Sequence, residues 1–195
     1  MLNAAIENGY LYVITGGPGA GKTKVLEELE QRGYACVPEV ARGIIQEQVR
    51  TDGDAVPWGN NERYTELMLE GSIASFLAQS RVGQPVFLDR GIPDVLCHAR
   101  IAGVRPTVRI QNACESYRYN RKVFIAPPWE EIYTTDEERK QSFAEAVRVY
   151  DELARIYAQY GYTLIELPKA SVIERADFVV EEVEGRGQTV ALFGS

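Results

Sequence analysis

Histidine is nearly absent from this chain, cysteine and methionine are scarce, and long apolar runs are missing. Its 195 residues include one His, three Cys and two Met. Cys36, Cys97 and Cys114 stand far apart and form no Cys-x-x-Cys pair. With His98 the single imidazole, this argues against a structural zinc site. An odd number of dispersed thiols fits reduced, buried side chains in a cytoplasmic protein better than a disulfide framework. His98 lies in Val95-Leu96-Cys97-His98 and reads as a packed helix residue rather than a catalyst. No stretch approaches the roughly 18 consecutive apolar residues of a membrane-spanning helix. Met1 to Asn8 is too short and too polar for a secretory signal. Positive charge is also in deficit. Lys and Arg total 21 against 28 Asp and Glu, a net charge of −7, which argues against a general nucleic-acid binder. An acidic exterior is still compatible with a local basic pocket. The expected partner is therefore a small-molecule acceptor, neither nucleic acid nor membrane, with a homodimer left open.

What is present is ordinary globular sequence, 45% hydrophobic and 25% charged. Its length suits one domain over residues 1–195, with no linker, repeat or low-complexity block. Five short apolar runs read as strands covered on both faces: Tyr10–Thr15, Tyr34–Pro38, Pro85–Asp89, Lys122–Ala126 and Tyr162–Leu167. Helices are expected near 22–32, 39–51, 61–82, 92–103, 106–118, 136–160 and 171–184. Capping boxes mark two starts, Thr135 with Glu138 and Ser171 with Glu174. Phe143, Ala146, Val147, Tyr150, Leu153, Ala154 and Tyr157 form one helical stripe, and Gly161 suits the C′ position that ends it. The alternation predicts an α/β fold, a doubly wound parallel sheet with ligand at the C-terminal strand ends. The polar stretch 51–61 fits a substrate-side flap or a plain surface loop. The glycine-rich tail 185–195 is expected to fray.

Residues 16 to 23 read Gly16-Gly17-Pro18-Gly19-Ala20-Gly21-Lys22-Thr23, the spacing of the phosphate-cradling P-loop. The motif follows an apolar strand and precedes Lys24-Val25-Leu26-Glu27-Glu28-Leu29, whose Val25, Leu26 and Leu29 have helical spacing. The glycines permit the backbone to turn its N–H groups inward at a helix N-terminus, where the dipole favours anions. Gly17, Gly19, Ala20, Gly21, Lys22, Thr23 and Lys24 are therefore the candidate nucleotide-binding residues. Lys22 would reach the β- and γ-phosphates, and the Thr23 hydroxyl would hold Mg²⁺.

Phosphoryl transfer asks for more than this loop: a carboxylate for the acceptor hydroxyl, one for the metal, and cations over the moving phosphate. Glu39 follows the second strand and is placed to take a hydroxyl proton, or simply to complement its helix N-terminus. Arg42 would share its helix face. Asp89 ends the third strand as a metal ligand would, with Arg90 beside it able to grip phosphate; a buried structural pair is the alternative. The polar segment 127–140 reads as a helical lid, with Arg139 and Lys140 supplying its charge, or as an exposed helix start. Trp129 and Tyr133 could stack on a base or pack against the fold.

With Gly16–Thr23, Pro38-Glu39-Val40-Ala41-Arg42, Asp89-Arg90-Gly91-Ile92-Pro93-Asp94, Glu138-Arg139-Lys140-Gln141-Ser142-Phe143 and Tyr160–Pro168 in view, the chain resembles P-loop nucleoside and nucleotide kinases. More narrowly, it resembles the AAA-type predicted ATPase family related to the ribosylnicotinamide kinase domain of NAD-biosynthesis regulators. The resemblance spans Tyr10 to Glu184. It implies a P-loop three-layer sandwich with a five-stranded parallel sheet and a helical lid, and MgATP as phosphate donor. By the same resemblance Glu39 is the base, Asp89 and Arg90 the acid-Arg element and Pro168 to Ser171 the adenine-side loop. With Lys22 and Thr23 of the P-loop and Arg139 of the lid, the catalytic candidates are Lys22, Glu39, Asp89, Arg90 and Arg139, and the metal ligands Thr23 and Asp89. The lid departs from thymidylate kinases, which have a richer arginine pattern there. No second arginine-finger domain suggests a hexameric motor.

The leading expectation is a kinase moving the ATP γ-phosphate to a hydroxyl or phosphate of a small nucleoside-like acceptor. An ATPase or nucleotide switch acting through a protein partner is the alternative. A nucleotide-binding protein without turnover would leave Glu39 and Asp89-Arg90 unexplained. The absence of an Asn-Lys-x-Asp guanine-reading motif favours ATP over GTP.

Overall fold

Alternation along the three central strands builds the molecule. In β2 (Leu11–Gly16), β4 (Val86–Asp89) and β6 (Lys122–Ala126) almost every residue is buried. Such strands can only lie between two covering layers. Leu11, Val13, Val86, Leu88, Val123 and Ile125 face one apolar cluster, whereas Ile14, Phe87, Phe124 and Ala126 face the other. This is the period-two division that a sheet imposes on successive side chains. The structure, a computed structural model, describes residues 5–132 and 143–185.

The shorter strands β3 (Ala35–Val37) and β7 (Thr163–Glu166) are only partly buried and form the edges. All five strands are parallel, in the order β3-β4-β2-β6-β7. One face is covered by α1 (Lys22–Gln31) and α7 (Val172–Glu184), through Val25, Leu26, Leu29, Ala176 and Val179. The other carries α3 (Asn61–Ala78), α4 (Ile92–Ile101), α5 (Val108–Ser116) and α6 (Phe143–Gln159), with α2 (Val40–Arg50) packed at its margin. The result is the three-layer α/β sandwich with a five-stranded parallel sheet that the sequence implied. Ile14 lies level with both Asp89 and Phe124, so the C-terminal ends of the three central strands open on the same side.

Local signals explain most boundaries. Ser171 caps α7: its Oγ accepts from Glu174 N at 3.3 Å, and Glu174 Oε2 accepts from Ser171 N at 2.9 Å. Gly161, at φ +78°, ends the α6 region, with Tyr162 N donating to Tyr157 O at 3.1 Å. The third helix ends at Ala78 rather than near 82, because Gln79, Ser80 and Val82 donate to carbonyls three residues back and tighten the chain out of the α form. The Tyr117-Arg118 pair, expected to close a helix, instead forms β5 and pairs in parallel with β1 (Ile6–Glu7). Two-residue strands are too short to show a period, so this pairing had no signal in the sequence. The proposed cap at Thr135 and Glu138 lies outside the described residues. No helix among the described residues is long and apolar enough to cross a membrane. The three cysteines are free; Cys97 and Cys114 are buried as expected, but Cys36, on an edge strand, is only half-buried.

Candidate active site

The P-loop leaves β2 at Gly16 and enters α1 at Lys22. Gly16 has φ +138°, and a Cβ there would lie 2.6 Å from Ala126 O on the neighbouring strand. Gly21 takes the left-handed conformation as the N-cap of α1, with φ 74° and ψ 17°. No side chain caps this helix, so its first-turn N–H groups are available to an anion. Gly17 and Ala20 are buried, Gly19 and Thr23 half-buried, and Lys24 exposed. Lys22 is buried and folds back over the strand end, donating through Nζ to Gly16 O at 3.1 Å and Gly17 O at 3.0 Å. Burial, with the nearby Arg90 charge adding to it, lowers its ammonium to about 8.

Beside the loop lies an ion-pair network. Glu39 is the N-cap residue of α2 but makes no capping bond; its Oε1 accepts from Arg90 Nε at 2.6 Å. Its carboxylate is thus directed to the crevice rather than to its own helix. Burial pushes Glu39 up, yet Arg90 and Lys22 outweigh it and hold the carboxyl below its ordinary value. Arg90 is a non-glycine residue at φ +73°. Its Nη1 donates to Gly16 O and to Asp94 Oδ1, each at 3.2 Å. Asp94, 4% exposed, also accepts from Thr15 Oγ1 at 2.6 Å, Tyr157 OH at 2.6 Å and Gly91 N at 2.9 Å. The network ties the end of β2 to the starts of α2 and α4 and to α6.

Asp89 shows the opposite condition. It is buried, its Oδ1 has no hydrogen-bond partner, and burial raises its carboxyl. An orphaned carboxylate oxygen at a strand end is a hard-oxygen donor suited to Mg²⁺. Among the described residues no group of three or more His, Cys, Asp or Glu could hold a metal.

Glu39, Arg90, Asp94, Met68, Ser72 and Tyr119 line a cleft of about 20 Å³ between the strand ends and helices α2 and α3. The 52–61 loop contributes nothing to its lining. Ala55 and Val56 of the loop are buried, and Ala55 N donates to Gln48 Oε1 at 3.1 Å. His98 Nε2 lies 2.8 Å from Asn61 Oδ1, bridging α4 to α3 as a packed residue. Arg139, Lys140 and Tyr133 lie outside the described residues; Trp129 is half-buried.

Two polar groups of the site went unassigned in the sequence. Asp94 was visible only as the last residue of Asp89-Arg90-Gly91-Ile92-Pro93-Asp94, and its role as a hub needs Thr15 and Tyr157 from distant segments. Arg175 sits on the buried stripe of α7 with Ala176 and Val179, and donates through Nη2 to Ala20 O of the P-loop at 3.0 Å. A charge on an apolar helical stripe was the available signal.

Several solved structures share this architecture. Deoxyadenosine kinase from M. mycoides, with dCMP and dCDP bound, is 12% identical with a TM-score of 0.66, over 90% of this chain and 99% of that one. NadR protein in complex with NR is 17% identical with a TM-score of 0.66; 91% of this chain matches 52% of NadR, so the chain spans about half that protein's length. Thymidylate kinase from Candida albicans is 10% identical with a TM-score of 0.61, over 91% of this chain and 92% of that one. At these identities the likeness concerns the fold. No curated protein matches the chain in sequence. A family model described as an AAA domain, AAA_28, matches residues 11–175. That match takes in the P-loop, Glu39, the Asp89-Arg90 element and Arg175, and the chain belongs to the AAA_28 family.

Proposed function

We propose that this protein is an ATP-dependent small-molecule kinase, moving the γ-phosphate of ATP to a hydroxyl of a nucleoside-like acceptor. The observation that carries this reading is the Arg90 guanidinium, which joins the Glu39 carboxylate at 2.6 Å to the phosphate-loop carbonyl of Gly16 at 3.2 Å. A group able to take a proton and a cation able to meet a phosphate thereby share one cleft with the P-loop. The fold likeness to nucleoside and nucleotide kinases supports the reaction class and the nucleoside-like acceptor.

Lys22 would release the carbonyls of Gly16 and Gly17 and turn its ammonium to the phosphates. Thr23 Oγ1 and Asp89 would hold Mg²⁺, which neutralises phosphate charge when bound. Glu39, ionised at neutral pH, takes the acceptor hydroxyl proton as that oxygen bonds to the γ-phosphorus and the bond to the bridging oxygen breaks. Arg90 screens the charge of the transferring group, with Arg139 of the proposed lid as its partner.

The test is ADP release from MgATP with and without pooled nucleosides, nucleotides and ribosylnicotinamide, with Lys22→Ala as the blank. Stimulation by one pool, with phosphate found on the acceptor, is the expected result. Slow ADP release that no pool alters would transfer the case to the ATPase switch.

A further inference from the structure

Among the described residues, Arg175 is a buried guanidinium without a counter-charge. It is 2% exposed, its Nε has no hydrogen-bond partner, and it makes no ion pair among the described residues. Burial pushes its guanidinium below the ordinary value. Burying an unpaired charge is costly, so its position calls for an explanation. The ion pairs of α7 go elsewhere, Asp177 to Arg32 and Glu182 to Lys122.

The guanidinium lies against one peptide unit. Nη2 donates to Ala20 O at 3.0 Å, and Nη1 is 2.9 Å from where a Cβ on Gly21 would stand. In a trans peptide the carbonyl and the following N–H point in opposite directions. Fixing Ala20 O toward α7 therefore aims the Gly21 N–H away from α7. A charged donor on the carbonyl also polarises that N–H and strengthens it as a donor to an anion. Gly21 is the N-cap of α1, where the helix dipole and unclaimed N–H groups already favour phosphate.

We infer that Arg175 is a positioning residue of the phosphate loop, holding the Ala20–Gly21 peptide in its anion-binding orientation and lending uncompensated positive charge to the polyphosphate of the nucleotide. The inference rests on the nucleotide-binding reading above and adds to it a residue from the last helix. Arg175 acts through the loop and need not touch the nucleotide. The partner it awaits is the phosphate chain, so its influence should grow with the number of phosphates.

The experiment measures dissociation constants of ATP, ADP and AMP by calorimetry on the full chain, as wild type, Arg175→Met and Arg175→Lys, with the melting temperature of each without ligand. Wild type should bind ATP more tightly than ADP, and ADP more tightly than AMP. Losing a charged hydrogen bond should make Arg175→Met lose about ten- to a hundredfold in ATP affinity, less in ADP and little in AMP. Arg175→Lys, which keeps the charge without the planar fork, should recover part of the ATP loss. A folded Arg175→Met that keeps the wild-type spacing between ATP and AMP would overturn the inference, whatever its melting temperature. If Arg175→Met does not fold, Arg175→Lys decides: a loss confined to ATP and ADP supports the inference, and an unchanged or uniform shift overturns it. Wild type that fails to distinguish ATP from AMP would instead defeat the underlying reading.

Discussion

The two walls of the candidate site are built differently. On the side of the P-loop, α1 buries Lys22, Val25, Leu26 and Leu29 and is packed against both the sheet and α7. On the acceptor side, α2 runs for 11 residues without one buried residue; Ile44 and Ile45 only rest on the core. The phosphate cradle is thus part of the hydrophobic core, whereas the acceptor wall leans on it. The cleft beside Glu39 measures about 20 Å³, far below the roughly 300–1,000 Å³ of small-molecule pockets. For the proposed nucleoside-like acceptor to bind there the cleft must widen, and the lightly packed α2 wall is the one expected to move.

Breaking the P-loop side should give the largest effect. Lys22→Ala removes the ammonium proposed to turn to the phosphates and should lower turnover about 10³-fold, read as ADP release from a variant that keeps its melting temperature. The contrast in packing has its own measure. Leu29→Ala, in a site with no exposure, should cost about 3 kcal/mol in denaturant unfolding, whereas Ile44→Ala on α2 should cost less than about 1 kcal/mol. Equal costs would remove the distinction between the walls. Glu39→Gln should cut turnover about 10²-fold with ATP affinity unchanged; unchanged turnover would end the case for Glu39 as base. The smallest effect is a pH dependence. Because Lys22 is lowered to about 8, its ammonium is lost as pH rises through that value. ATP affinity should then fall above about pH 8, by up to about tenfold per unit, and Lys22→Met should flatten the profile. The sign for stability is opposite. The unfolded chain holds this proton up to the ordinary lysine value, so raising pH above about 8 favours the folded state.

What the sequence made legible follows the same division. The central strands and the phosphate loop were readable because consecutive apolar residues and fixed glycine spacing are local signals. Glu39, Asp89 and Arg90 were readable as positions, since strand ends locate the crevice before any contact is known. Their connections were not. The Arg90 link to Glu39 spans 51 residues, and the Tyr157 bond to Asp94 spans 63, distances over which no sequence period operates. Arg175 carried only a weak sign, a charge on a buried stripe, and its partner is a backbone carbonyl, which no side-chain pattern reveals. The β1–β5 pair was invisible because two residues cannot express alternation.

Arg90 has a consequence for any attempt to harden this protein. Its backbone, at φ +73°, sits where glycine is comfortable and a branched chain is not, at a cost of about 1–3 kcal/mol. A search that scores backbone ease alone would favour glycine at position 90. That choice would leave Glu39 without its guanidinium partner and remove the cation between the two halves of the crevice. Removing one partner of a buried ion pair costs about 3–5 kcal/mol, more than the strain relieved, so position 90 holds a backbone cost that its own side chain outweighs.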